Sequence, residues 1–295
     1  MTAKIISGTE TAKAIREELK AEISELKEKH GIVPGLVTIL VGSDSASQVY
    51  VGAKERTCKA LEMYSERYDL PADTPEEEVL ALVEKCNKND KINGILVQLP
   101  LPKHINEAKI LYAIDPNKDV DGFHPVNIGK MMLGEDCFLP CTPHGMLELL
   151  ERNGIETSGK ECVVIGRSNI VGKPIANLML QKRPAGNATV TLCHTRTKDV
   201  DFHTKRADIL IVAVGVPNLI KADQVKEGVV ILDVGVNRIG KTKEGKGILA
   251  GDVDFDSVKE KAGAITPVPG GVGPMTITML MKNTVQAAKT AAGLL

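Results

Sequence analysis

Ser47, Tyr50 and Lys54 follow one another at spacings of three and four, which on a helix gathers them onto one face. A lysine is ordinarily a solvated charge and a tyrosine ordinarily packs half-buried. A lysine held in a partly desolvated pocket, however, sheds its proton near neutral pH and becomes a general base. The run Leu36 to Val41 reads as a buried strand, and Gly42-Ser43-Asp44-Ser45 turns the chain into this helix. The three side chains therefore lie just past a strand's carboxyl end, where α/β proteins build their sites. Gln98 closes another apolar run and Asp121 sits in the polar loop that follows. Taken singly, each reads as a hydrogen-bonding structural residue.

A second group lies in Glu161 to Pro174, ECVVIGRSNIVGKP. Cys162 to Ile165 is a short apolar run of the kind buried in parallel sheets. Gly166 ends it, and a helix is expected to start near Pro174. Strand, glycine turn and helix N-terminus together favour an anion. The spacing departs from the usual dinucleotide fingerprint: Ser168 takes the second glycine position and Val171 the third, with Gly172 one residue late. A NAD site wants a carboxylate after the next strand. Here Thr189 to Cys193 runs into His194-Thr195-Arg196-Thr197. Thr195 and Arg196 suit a 2′-phosphate, and Arg167 in the first turn could assist, so NADP is expected over NAD.

The elements that must position these residues alternate. Ser7 and Glu10 have capping-box spacing, and Ala12, Ile15, Leu19, Ile23 and Leu26 continue at helical spacing to about His30. A strand is expected around Met63 to Tyr68. A helix follows, opened by Thr74 as cap, Pro75 and an acidic first turn, and then a strand from Gly94 to Leu99. Asp115 to His124 reads as a turn-rich loop, and Thr142-Pro143 as the cap of a helix ending at Asn153-Gly154. Ile209 to Val214 and Val229 to Val234 read as further buried strands, the stretch TPVPGGVGPMT as a stiff loop, and Met275 to Ala292 as a last helix. Lys241 to Lys246 reads as an exposed turn. Repeated β-α-β order predicts an α/β fold with parallel sheets and helices on both faces.

Composition narrows the partners. The 295-residue chain has room for two domains. A net charge of -1 argues against a nucleic-acid surface, and 3% aromatics with no Trp against a base-stacking platform. Six cysteines without a CxxC pair read as buried thiols in a reducing cytoplasm. Cys137, Cys141 and His144 lack a nearby fourth ligand, so no metal is expected. The first ten residues lack an apolar signal segment, and no apolar run could span a bilayer.

Five segments carry a resemblance: YVGAK at Tyr50–Lys54, GILVQLPLP at Gly94–Pro102, DVDGFHPVN at Asp119–Asn127, GRSNIVGKP at Gly166–Pro174 and TPVPGGVGPMT at Thr266–Thr276. In order along nearly the whole chain, they resemble the bifunctional methylenetetrahydrofolate dehydrogenase/methenyltetrahydrofolate cyclohydrolase family. The resemblance implies a folate-binding α/β domain over 1–143, with the helix of 275–295 packing back on it. It also implies a Rossmann-like NADP domain over 144–274, a cleft between the two, and a homodimer formed through the NADP domain. Lys54 then matches the catalytic lysine, Tyr50 the substrate-stacking tyrosine, Gln98 the glutamine that tunes the lysine, and Asp121 the aspartate that grips the pterin. Ser47, Val97, Leu99, Pro269, Gly270 and Gly271 would border the folate. Gly166, Arg167, Ser168, Thr195, Arg196 and Val236 would hold NADP, with Thr195 where relatives commonly have serine and Val236 where they commonly have isoleucine. Two other readings are a shikimate-type NADP dehydrogenase, which would leave the tyrosine and the PVPGGVGP loop unexplained, and a non-catalytic NADP sensor.

Overall fold

The structure, a computed structural model, describes residues 2–241 and 247–295, so most of the turn expected at Lys241 to Lys246 lies outside the described residues. In chain order the first elements are β1 (Lys4–Ile5), α1 (Gly8–His30), β2 (Gly35–Val41), α2 (Ser45–Ala60), β3 (Tyr64–Leu70), α3 (Glu76–Asn87) and β4 (Gly94–Val97). Next come α4 (Glu107–Ala113), α5 (Pro125–Leu133), α6 (Cys141–Arg152), β5 (Glu161–Ile165), α7 (Gly172–Leu180), β6 (Thr189–Cys193) and α8 (Val200–Thr204). The last are β7 (Ile209–Val212), a 3-10 turn (Ala222–Gln224), β8 (Val230–Asp233), β9 (Asn237–Lys241), β10 (Gly247–Ala250), α9 (Phe255–Val258), β11 (Ala264–Ile265) and α10 (Val272–Ala291). Among the described residues, no helix is long and apolar enough to cross a membrane.

The chain forms two compact units. One holds Ala14–Cys141 and Ile277–Leu295, the other Met1–Lys13 and Thr142–Thr276. We call them the Lys54 unit and the Gly166 unit.

In the Lys54 unit three parallel strands stand in the order β3-β2-β4. Every residue of β2 is buried, so both faces of the central strand are covered, as a parallel sheet requires. Alternation sends Val37, Ile39 and Val41 to one side, where they meet Val79, Val83 and Cys86 of α3 and Ile110 of α4. Edge strand β3 keeps polar residues half exposed. Helix α2 is capped by Asp44, whose carboxylate accepts the Ser47 amide at 2.8 Å. Thr74 does not cap α3: the N-cap is Pro75, and the Thr74 hydroxyl turns back to donate to the Pro71 carbonyl at 2.8 Å. The acidic first turn remains to complement the helix dipole.

The Gly166 unit carries a six-stranded parallel sheet in the order β1-β11-β8-β7-β5-β6, with β9 and β10 as a separate antiparallel pair. Val163, Ile165, Leu210, Val212, Ile231 and Ile265 form part of its core. The chain leaves β5 for β6 on one side and returns to β7 on the other, so the direction of winding reverses at the carboxyl end of β5. That reversal is where doubly wound sheets bind ligands. Helix α6 starts at Cys141, one residue before the expected cap. Thr142 thus lies inside the first turn, and its hydroxyl bonds that of Thr276 at 2.9 Å.

Candidate active site

Helix α2 buries two of its three chemistry-bearing side chains. Ser47 and Lys54 are 4% and 8% exposed, whereas Tyr50 is 41% exposed. The Lys54 amine donates to Gln98 Oε1 at 2.8 Å, and Gln98 Nε2 donates to the Leu99 carbonyl at 2.7 Å. The second bond decides the orientation of the first. With its NH2 committed to the backbone, the Gln98 amide presents only its oxygen to the lysine. Val97 is buried at the end of β4, and Leu99 beyond it is half-buried.

The charge of Asp121 acts on the same amine. Burial pushes the Lys54 amine below its ordinary value, while the Asp121 carboxylate and the Cys141 thiol pull it back up. Burial likewise raises Asp121, opposed by the charge of Lys54 and by the neighbouring Cys141 thiol. The Cys141 thiol is pushed well above its usual range by burial and by Asp121. Low dielectric thus drives both partners toward their neutral forms, and each one's charge resists the other's neutralisation.

The loop that delivers Asp121 is organised by Asp119, a residue given no role on sequence grounds. Asp119 is 3% exposed. Its carboxylate accepts the Phe123 amide at 3.2 Å, the His124 amide at 2.8 Å and Asn127 Nδ2 at 2.9 Å. Burial still raises it to about 6. The available signal was an aspartate four and five residues ahead of the amides it accepts, beside the more conspicuous Asp121. Helix α5 then starts on Pro125, with the His124 ring accepting the Val126 amide at 3.1 Å.

In the Gly166 unit the turn after β5 is shaped by close approach. Gly166 has φ 112°, and a Cβ there would stand 2.1 Å from the Ala213 carbonyl oxygen; one on Gly172 would stand 2.0 Å from that of Gly166. Only glycine fits either place. Helix α7 begins at Gly172, two residues before Pro174. The Ser168 hydroxyl accepts the Val171 amide at 3.1 Å and the Gly172 amide at 3.3 Å. Two donors expected to serve an anion are therefore already engaged within the turn. Arg167 and Ser168 are exposed, as are Thr195 and Arg196 after β6. That second turn is held by His194, whose ring accepts the Arg196 amide at 3.1 Å, and by Thr197, whose hydroxyl accepts the His194 amide at 2.9 Å.

Val236, 48% exposed, sits past β8 on a rim built over two buried aspartates. Asp252 accepts the Val214 amide at 2.7 Å, the Gly215 amide at 2.9 Å and Asn237 Nδ2 at 2.8 Å. Asp233 accepts the amides of Gly235 at 2.9 Å, Asp252 at 3.0 Å and Val253 at 2.9 Å, and burial raises it to about 6. Neither aspartate was given a role on sequence grounds, since nothing in the local spacing records the backbone amides each one accepts. Pro269, Gly270 and Gly271 lie in the loop before α10, where the Gly270 carbonyl accepts the Thr9 amide at 3.0 Å. Among the described residues, no three His, Cys, Asp or Glu stand together as a metal site.

Two sequence models of one family match this chain. The catalytic domain of tetrahydrofolate dehydrogenase/cyclohydrolase matches residues 6–121, and its NAD(P)-binding domain residues 140–292. The chain belongs to the tetrahydrofolate dehydrogenase/cyclohydrolase family. The "Bifunctional protein FolD" of Syntrophus aciditrophicus is 63% identical over 294 residues, covering 100% of both chains. That of Syntrophobacter fumaroxidans is 62% identical, covering 98% of both. Among solved structures, the bifunctional FolD of Campylobacter jejuni superposes with a TM-score of 0.91 at 48% identity, covering 98% of this chain and 99% of that one. The Trypanosoma brucei methylenetetrahydrofolate dehydrogenase-cyclohydrolase, solved with NADP and an inhibitor, gives 0.94 at 37% identity and 99% coverage of both. Shikimate 5-dehydrogenase of Thermus thermophilus, at 14% identity and a TM-score of 0.50, shares the fold alone.

Proposed function

We propose that this enzyme oxidises 5,10-methylenetetrahydrofolate to the 5,10-methenyl cation with NADP and then hydrolyses that cation to 10-formyltetrahydrofolate. The observation that carries the reading is the buried Lys54 amine bonded to Gln98 and influenced by the charge of Asp121. In the first reaction the methylene carbon gives up a hydride, and a neighbouring nitrogen lone pair stabilises the cation left behind. NADP supplies the hydride acceptor. In the second, water adds to the cationic carbon and loses one proton; the ring C–N bond then breaks as its nitrogen gains a proton and the new hydroxyl gives up its own to become the formyl C=O, with one proton released overall. That is general acid–base work. Lys54, its basicity set by burial, takes the proton from water. Gln98 keeps the amine aimed by accepting one of its N–H bonds.

We assign folate to the Lys54 unit and NADP to the Gly166 unit. Asp121 grips the amino edge of the pterin, the exposed Tyr50 ring stacks on its face, and Ser47, Val97 and Leu99 line its pocket. Pro269, Gly270 and Gly271 are assigned to the folate side by resemblance. The residues present suit NADP. Gly166 and Gly172 keep the turn open to close approach, and Thr195 with the exposed Arg196 and Arg167 suits a 2′-phosphate. Ser168 holds that turn, and Val236 offers an apolar edge to the dinucleotide. The enzyme acts in the cytoplasm, consistent with six free thiols. It pairs as a homodimer through the Gly166 unit, where Ile239 and Ile248 of the β9/β10 ribbon are exposed. A monomeric mass by light scattering at working concentration would remove the dimer.

The deciding assay supplies methylenetetrahydrofolate and NADP and follows NADPH, methenyl absorbance and 10-formyl product on one sample. Production of all three is expected. Turnover of shikimate with none of folate would overturn the reading, and tight NADP binding with no turnover would leave a sensor.

A further inference from the structure

The peptide ahead of Asp121 is fixed from α10. Asn283, 1% exposed, sends Nδ2 to two backbone carbonyls, Val120 at 2.8 Å and Leu139 at 3.0 Å. The same nitrogen stands 3.7 Å from Cys141 Sγ, and the Cys141 thiol also donates to the Val120 carbonyl at 3.3 Å. An amide nitrogen carries two hydrogens, and both are spent here. The Asn283 oxygen is buried without a partner among the described residues, so the side chain is held by what its nitrogen does. Val120 immediately precedes Asp121, and Leu139 lies two residues before Cys141. At Gly122, φ is 76°, and a Cβ would come within 2.6 Å of the Leu139 carbonyl carbon and the Pro140 nitrogen. The Asp121 loop and the segment into α6 therefore run in direct contact, and Asn283 staples one to the other.

We propose that Asn283 is a positioning residue that sets the direction of the Asp121 carboxylate by holding the Val120 carbonyl and the Leu139–Cys141 segment together. The proposal rests on Asp121 gripping the folate. Fixing the peptide ahead of Asp121 restricts where its carboxylate points, and so how well it meets the pterin edge.

The test is a double-mutant cycle on the full-length enzyme, read in folate KM, kcat and NADP affinity. Asn283→Ala is expected to raise folate KM about tenfold in both reactions, with kcat and NADP affinity within about twofold of wild type, the pattern of lost uniform binding. In an Asp121→Ala background the same substitution should change folate KM by less than about twofold. Should Asn283→Ala fail to fold, Asn283→Asp keeps the shape, turns an oxygen toward the two carbonyls, and should give the same pattern. Equal factors in both backgrounds, or loss of NADP affinity alongside folate, would overturn the role of Asn283 while leaving Asp121 in place. An Asp121→Ala enzyme with unchanged folate KM would remove Asp121 as the folate group, and this inference with it.

Discussion

Lys54 and Arg196 are both long cationic side chains, and the two units treat them in opposite ways. Lys54 is 8% exposed and tied to Gln98, with its basicity lowered by the burial that hides it. Arg196 stands exposed on a turn whose backbone is pinned by His194 and Thr197. The carboxylates run parallel to this. In the Lys54 unit Asp121 shares the buried site with the amine, while in the Gly166 unit Asp233 and Asp252 lie beneath the rim and hold backbone amides. Acid–base chemistry needs a group close to losing its charge, which desolvation provides. Recognition of a phosphate, the part proposed for Arg196, needs a full charge in a fixed place.

The largest expected effect tests the buried side of that contrast. Lys54→Gln or Lys54→Met should lower hydrolysis of the methenyl substrate by about 10²–10⁴-fold while leaving measurable NADP reduction, because only hydrolysis demands proton transfer. In the wild type the hydrolysis rate should rise with pH through the folded Lys54 pKa, below the ordinary lysine value because burial lowers it. That limb should vanish in Lys54→Gln. Both rates come from the same purified variant, with NADPH formation corrected for methenyl absorbance. Unchanged hydrolysis would remove Lys54 as the acid–base group, and parallel loss of both activities would make it a positioning group.

The exposed side should fail in a different way. Arg196→Ala should raise KM for NADP about 10- to 100-fold, the range of a charge-assisted contact, and leave KM for NAD nearly unchanged. Equal losses with both cofactors would show that Arg196 does not read the 2′-phosphate. Somewhat smaller is Asp121→Ala, expected to weaken folate binding by about 5- to 100-fold and to lower both activities together, with NADP affinity untouched. Calorimetry on the folded variant checks it, and unchanged folate affinity would refute the assignment.

Legibility in the sequence follows the same division. Buried strands such as β2 and β5 announce themselves as apolar runs, and the spacing of Ser47, Tyr50 and Lys54 by itself gathers them onto one helix face. Two-residue strands β1 and β11 are too short to show a period, and β9 and β10 carry Gly240 and Gly247 where alternation would be read. Thr74 and Thr142 fit the composition of caps, yet each hydroxyl found a nearer acceptor or donor. The residues that hold the sites in place, Asp119, Asp233, Asp252 and Asn283, stayed illegible for one shared reason. Each satisfies backbone groups from segments that are distant in sequence or folded back on themselves, and no local spacing records that.

The two units share a buried carboxyl group of the same kind. Asp119 in one and Asp233 in the other are 3% exposed, accept three N–H donors each, and are nevertheless raised by burial from 3.8 to about 6. The three donors favour the carboxylate and burial favours the acid; the upward shift means burial wins. The sign follows directly. A carboxyl group whose folded pKa exceeds its unfolded one binds its proton more tightly when folded, so stability is lost as pH rises from about 4 to about 6. For Asp119 the loss is about 3 kcal/mol, from a shift of about two units at 1.36 kcal/mol each. Ion-paired carboxylates such as Glu25 and Glu76 are shifted downward and act below their ordinary range, so the raw pH profile mixes both signs. The difference between wild type and Asp119→Asn isolates one group. Urea unfolding at several pH values should show wild type losing its advantage over the variant between pH 4 and 6, with a flat difference above. A difference rising with pH over that window would mean that the amides of Phe123 and His124 and the Asn127 side chain outweigh burial, and that the loop is held by a carboxylate stabilised in its charged form.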